Sequence, residues 1–140
     1  MTKTVKNNGF DFGAIAKQDL DEGVWIWLKH PATEENLTAG DNKPVRAKVV
    51  GVDSQKYRAV MNKINNKRLK RRKLLGTAEM LEKEKLETIF ACLVDWENFY
   101  RDGELMPCNV ENKQFMLENF PWLVEQLDLA IGDRANFFTS

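Results

Sequence analysis

Residues 45–54, Val-Arg-Ala-Lys-Val-Val-Gly-Val-Asp-Ser, contain the change of hydrophobic period that decides the fold. Apolar and basic residues alternate in the first six positions, which predicts a half-buried β-strand. After Gly51 the apolar spacing becomes helical, and Asp53 or Ser54 can cap the helix that follows. The sequence therefore predicts strands before this point and mainly helices after it.

A second strand signal lies upstream, at residues 24–29, where β-branched and aromatic residues stand between a glycine and a proline. Trp25 and Trp27 would point to one face of this strand, and Ile26 with Leu28 to the other. Because both faces are partly apolar, the strand is suited to contact with a partner or a second subunit as well as with the core. Its pairing with residues 45–50 predicts a small antiparallel sheet.

Four helices are expected after Gly51. The second begins near Thr77 and continues through Leu93 and Val94, the third follows a cap at Asn109, and the fourth starts near Pro121. The expected fold class is thus α+β, with a small antiparallel sheet in the N-terminal half and a mainly helical C-terminal half. We expect one domain over residues 1–140, with a loosely ordered start at 1–20, a β-containing part at 21–51 and a helical part at 52–140.

The composition is that of an ordinary globular protein, with 43% hydrophobic residues and balanced totals of 21 basic and 21 acidic residues. No stretch has the roughly 20 apolar residues that a membrane span needs, and no secretory leader is recognisable. Cys92 and Cys108 are too few for a disulfide scaffold, so we expect reduced thiols in a cytoplasmic protein.

The sequence offers no recognisable catalytic or metal-binding pattern. His30 is the only histidine, and the two cysteines lack the close spacing of metal ligands. The eight glycines are scattered, so no phosphate-binding loop is present. We therefore expect a protein that is not an enzyme and that needs no metal or cofactor.

The strongest local concentration of charge lies in residues 67–73, which we call the basic run. Three interpretations are open: a solvated helical face compensated by the glutamates at 79, 82, 84 and 87, a docking site for an acidic partner, and a phosphate-binding site. No aromatic residues interleave with it, so nucleic acid is the least favoured. Its cationic residues are Lys67, Arg68, Lys70, Arg71, Arg72 and Lys73.

The most distinctive segment of the C-terminal half is an Asp-Trp pair followed by a short loop and a capped helix. Gly103 suits a turn with positive φ, and Pro107 fixes the chain ahead of the cap. This succession resembles the C-terminal half of tail assembly chaperones of long-tailed bacteriophages. The residues that carry the resemblance are Asp95, Trp96, Gly103, Pro107, Glu111, Asn112, Pro121 and the segment 133–137.

The resemblance implies a function that the residues alone do not reveal. Such chaperones bind the tape measure protein, keep its long apolar helices soluble, help to recruit tail tube subunits and tend to self-associate. They would act in the host cell cytoplasm and be absent from the mature virion. Trp25, Trp27 and the basic run are the candidate partner-binding residues. The alternative is a small nucleic-acid-binding or regulatory phage protein that uses the basic run.

Overall fold

The structure is a computed structural model that describes residues 9–15, 19–71 and 76–138. Within these ranges it is an α+β fold, as predicted. The strands, in chain order, are β1 (Val24–Trp27), β2 (Thr38–Ala39), β3 (Lys43–Pro44), β4 (Arg46–Val49), β5 (Leu93–Glu97), β6 (Tyr100–Arg101) and β7 (Glu104–Leu105). The helices are α1 (Gln55–Arg71), α2 (Ala78–Cys92), α3 (Val110–Asn119) and α4 (Pro121–Gly132).

The main sheet has three antiparallel strands in the order β1-β4-β5. The predicted pairing of the first two is confirmed, with Val24 opposite Val49 and Trp27 opposite Arg46. The third strand joins β4 on its other side, where Ala47 lies opposite Trp96. The central strand β4 is thereby paired on both edges, which explains why two strands from the N-terminal half are not left as a marginal hairpin.

The prediction that the second helix continues through Val94 was wrong, because α2 ends at Cys92 and β5 begins at the next residue. The register of β5 shifts between Asp95 and Leu93, which lie opposite consecutive residues of β4. Val94 is therefore an extra residue in the strand, as in a β-bulge. The bulge places the buried side chains of Leu93 and Trp96 three positions apart, and this spacing imitates a helix.

Two short hairpins lie outside the main sheet. Residues 38–44 contain the β2–β3 hairpin, and within the loop expected after the Asp-Trp pair β6 pairs with β7 around a turn at Asp102 and Gly103. Gly103 has φ of 84°, so its predicted positive φ is confirmed. The part at 52–140 is thus mainly, but not wholly, helical.

The core lies between the inner face of the sheet and the helices. Residues of β4 and β5 supply one side and α4 supplies the other, with α2 closing the end. Burying these apolar side chains is the main favourable term in folding. The most completely buried members include Leu28, Ala47, Val49, Ile89, Leu93, Leu123, Leu127 and Ile131.

The helix boundaries follow the predicted capping residues. The Ser54 hydroxyl accepts a hydrogen bond from the Tyr57 amide at 3.1 Å, and the Asn109 side chain accepts one from the Asn112 amide at 2.8 Å. Helix α4 starts at Pro121, as predicted, and ends at Gly132. These caps satisfy amide groups that a helix start leaves without partners.

The C-terminal segment closes back onto the junction between β4 and α1. Arg134 forms a two-pronged ion pair with Asp53, at 2.7 and 3.1 Å. The Phe137 ring is buried against Gly51, where a side-chain carbon would lie only 2.6 Å from the ring. Gly51 is therefore needed for close packing, in addition to marking the change from strand to helix.

Candidate functional site: an apolar groove

The described residues form an open apolar groove of about 460 Å³. It lies where the β2–β3 hairpin, the segment from β5 to β6 and the junction of α3 with α4 meet. Its floor is formed by fully buried core residues, and its walls by partly exposed ones. The lining side chains that define it best are Leu28, Leu37, Val45, Phe99, Tyr100, Met106, Met116, Phe120, Trp122 and Leu123.

Trp96 holds one wall of the groove in place. Its indole N–H donates a hydrogen bond to the Met106 carbonyl at 2.7 Å, and its ring stacks on Phe99 with a centroid distance of 4.4 Å. All three residues are buried, and Phe99 and Met106 form part of the groove lining. The indole therefore couples the end of β5 to the chain that returns from β7.

Asn98 connects this wall to the opposite hairpin. It adopts φ of 62°, a left-handed conformation that asparagine tolerates better than most residues. Its side-chain amide donates to the Pro44 carbonyl at 2.7 Å. The two sides of the groove are thus joined by a specific hydrogen bond.

The loop residues that resemble the phage family are only partly brought together at this site. Asn112 donates to the Pro107 carbonyl at 2.9 Å, which fixes the approach to α3. Gly103 lies at the tip of the β6–β7 hairpin, and the Glu111 side chain is exposed in the first turn of α3. Asp95 lies on the outer face of the sheet, opposite Lys48. None of these five residues lines the groove.

Trp25 and Trp27 do not line the groove but lie on the open face of the main sheet, and the Trp27 indole N–H donates a hydrogen bond to the carbonyl of the groove residue Leu37 at 2.6 Å. Their exposed fractions are 36% and 42%, so the predicted common face is confirmed and is accessible. The Arg46 guanidinium lies 5.0 Å from the Trp25 ring centroid and pairs with Glu97 at 2.6 Å. The open face therefore has an aromatic strip on β1, a basic strip on β4 and an acidic strip on β5.

The basic run forms ion pairs within the chain. Glu84 on α2 pairs with Arg68 and Arg71, and Glu87 pairs with Lys67 and Lys63. Two of the four glutamates proposed from the sequence thus compensate the basic helix. Lys70 is exposed and has no ion pair in the parts of the chain described. Arg72 and Lys73 lie outside the described residues.

This arrangement predicts different outcomes for two neighbouring charge reversals. Arg68→Glu should lower the midpoint of thermal unfolding, because it removes a two-pronged contact and places two carboxylates together. Lys70→Glu should leave the midpoint nearly unchanged.

Arg68 also holds the pKa of Glu84 below its ordinary value, so the stabilisation by this ion pair should disappear as pH falls through that lowered pKa. Unfolding scans of both variants and of the charge-swapped pair Arg68→Glu/Glu84→Arg measure these effects; equal shifts for the two single variants would contradict the assignment.

The titratable groups near the core do not form an activated nucleophile. Burial raises the pKa of the Cys92 thiol to about 11 and also raises that of Cys108. Half-buried Lys113 has a lowered pKa, chiefly from desolvation, and lies 4.2 Å from the Phe90 ring centroid. A thiol with a raised pKa is a poor nucleophile near neutral pH. Across residues 9–15, 19–71 and 76–138, no three potential metal-ligating side chains converge.

No sequence pattern indicated the groove. Its lining residues come from the position after β1, both small hairpins, the loop after β7 and the α3–α4 junction, so no single motif contains them. One signal was present in the sequence. Tyr100, Met116 and Trp122 are apolar residues beyond those that the core-facing side of their helix or strand requires.

Helices α1 to α4 include none that is long and apolar enough to cross a membrane. Comparison of this chain with protein-family models, curated proteins and solved structures gave no match.

Proposed function

We propose that this protein is a tail assembly chaperone of a long-tailed bacteriophage, and that it binds apolar helices of the tape measure protein in the groove. In this role it keeps the tape measure protein soluble in the host cytoplasm, helps to recruit tail tube subunits and leaves before the virion is complete. Catalysis, a metal and a cofactor have no part in this proposal. The observation that carries it is an accessible apolar groove whose wall is built by the segment that resembles these chaperones.

The shape of the groove suits this type of partner. Amphipathic helices commonly bind by inserting side chains at positions i, i+3 or i+4 and i+7 into an apolar groove. A volume of about 460 Å³ lies within the range of well-formed ligand clefts. Its wall includes Met116, whose flexible thioether can adapt to different apolar side chains. Such a surface supports moderate, reversible binding of varied helices.

The nucleic-acid alternative receives less support from the geometry. Lys67, Arg68 and Arg71 already have carboxylate partners on α2. Phosphate binding would have to compete with these contacts, and tight binding would depend strongly on salt. The exposed tryptophans lie on the main sheet, which is a different element from the basic run.

The proposal is tested by expressing the chain together with the tape measure protein of the phage that encodes it. Thr38→Trp fills the groove from an exposed position on β2, and Met116→Lys places a charge in its wall. Both variants should reduce the soluble, co-purifying tape measure protein severalfold, because either change removes the space or the apolar character that helix side chains need.

Leu129→Lys is the matched control, since Leu129 is an apolar residue that is 74% exposed on α4 and lies outside the groove. This variant should support the same yield as the unmodified chain. Circular dichroism should show that all variants keep their helical content. If the groove variants solubilise the tape measure protein as well as the control does, the groove is not its binding site.

A further inference from the structure

Strand β1 is an edge of the main sheet, and its outward backbone groups belong to Trp25 and Trp27. The Leu28 amide donates to the Val45 carbonyl at 3.0 Å, so alternate residues of β1 direct their backbone groups toward β4. The two tryptophans lie between those residues, so their backbone N–H and C=O groups point away from β4. In the ranges that the structure describes, their outward N–H and C=O groups have no hydrogen-bond partner.

The next outward position along the same edge is already covered. The Gln126 side chain accepts a hydrogen bond from the Lys29 amide at 2.9 Å and donates one to the Lys29 carbonyl at 2.8 Å. The carboxamide thus makes the two contacts that a neighbouring strand would make. Protection of an edge in this way prevents unwanted pairing. It stops at Lys29, so the uncovered part of the edge is limited to the two tryptophans.

The sequence of the uncovered part is symmetric, since Trp-Ile-Trp has the same order in both directions around Ile26. A second copy can therefore lie antiparallel to β1 and meet matching side chains. Glu22 precedes the strand and Lys29 follows it, and both are exposed. An antiparallel copy brings the acid of each chain near the base of the other.

We propose that β1 pairs with β1 of a second copy about a two-fold axis at Ile26, which joins the two main sheets into one sheet of six strands. Trp25 then forms a hydrogen-bonded pair with the partner subunit's Trp27, and Trp27 forms the equivalent pair with the partner subunit's Trp25. The two pairs give four backbone hydrogen bonds. Both tryptophan pairs lie on the open face, where cross-strand aromatic pairs stabilise a sheet. Such a contact is a self-complementary two-fold interface. It lies on a surface separate from the groove and does not depend on the proposed function.

Other registers use the edge less well. A two-fold axis at Trp27 would require the backbone of Lys29, which Gln126 already occupies. An axis at Trp25 would place Trp27 opposite the partner subunit's Gly23 and leave one aromatic cross-pair in place of two. With the axis at Ile26, the second copy turns away from the edge at the partner subunit's Gly23, where φ is 94°. It therefore does not reach Gln126 of the first copy.

Disulfide trapping tests both the surface and the register in the full chain carrying Cys108→Ser. Opposed residues in a non-hydrogen-bonded antiparallel pair have Cα atoms about 4.5 Å apart, within the range that a disulfide spans. Ile26→Cys should therefore give a covalent dimer under mild oxidation. Lys48→Cys, on the same sheet but away from the axis, should stay monomeric.

Sedimentation velocity over a range of concentrations provides an independent measurement. The unmodified chain should form dimers, and Trp25→Pro should raise the dissociation constant by at least about tenfold, because it removes an outward donor and one indole from each copy. A strictly monomeric unmodified chain at high concentration would overturn the proposal. Dimers that are trapped at Lys48→Cys and not at Ile26→Cys would overturn it equally.

Discussion

Replacing Trp96 with alanine is expected to lower the free energy of unfolding by about 3–5 kcal/mol, the range for truncating a buried large aromatic side chain. The ring is only 6% exposed and stacks on Phe99. The substitution also removes the donor that satisfies the Met106 carbonyl. Equilibrium unfolding in urea measures the effect as a lower midpoint at an unchanged slope.

Trp25→Ala is the matched control for this substitution. Trp25 is 36% exposed, and its contacts with Arg46 and Lys48 are on the surface. At concentrations where the chain is monomeric, its loss should therefore cost no more than about 1 kcal/mol. Trp96→Phe should fall between the two, because it keeps a stacked ring but loses the indole N–H. An unchanged midpoint for Trp96→Ala would mean that this side chain does not hold the groove wall.

The second large effect is expected at the contact between Phe137 and Gly51. Phe137→Ala should cost about 3–5 kcal/mol, because the ring is 5% exposed and fills the space above the β4–α1 junction. Gly51→Ala should cost about 1–3 kcal/mol by overpacking the same space. Since the added methyl group would meet the ring, the cost of Gly51→Ala should nearly vanish in the Phe137→Ala background.

Urea unfolding of the two single variants and the double variant gives this coupling as a double-mutant cycle. Gly132→Ala serves as the control, because a side-chain carbon at Gly132 would have no neighbour within 4 Å. It should be neutral or slightly stabilising. Equal costs of Gly51→Ala in both backgrounds would show that the two residues do not share this space.

Local sequence signals predicted those parts of the fold that depend on local chemistry. The alternation in residues 45–50 and the aromatic run in residues 24–29 predicted the pairing of β1 with β4. The caps at Ser54 and Asn109 predicted where α1 and α3 begin. Each of these signals is complete within a few residues, so it survives without knowledge of the tertiary structure.

The third strand could not be recognised in the same way. Ile89, Phe90 and Leu93 continue the apolar spacing of α2, and the bulge at Val94 places the next buried residue three positions further on. Pairing with β4, which is distant in sequence, decides the outcome. Tertiary context of this kind commonly overrides local propensity.

The groove was also beyond reach from the sequence, because concavity is a property of how separate segments meet. The hydrogen bond from Trp96 to Met106, which holds one wall, likewise depends on the β6–β7 hairpin that returns the chain. For the basic run, the possible compensation by glutamates was correctly anticipated. The pairing of Glu84 and Glu87 with the basic run depends on how α1 and α2 lie against each other.

Site-specific photo-crosslinking tests most directly whether the groove receives the apolar helix of the tape measure protein. A photoreactive phenylalanine analogue would replace Tyr100, which lines the groove and is 56% exposed, or Leu129, which is exposed outside it. Each protein would be irradiated with an apolar amphipathic helical peptide from the tape measure protein. The predicted result is a covalent product from position 100 and none from position 129. Crosslinking from position 129 without any from position 100 would contradict the proposed binding site.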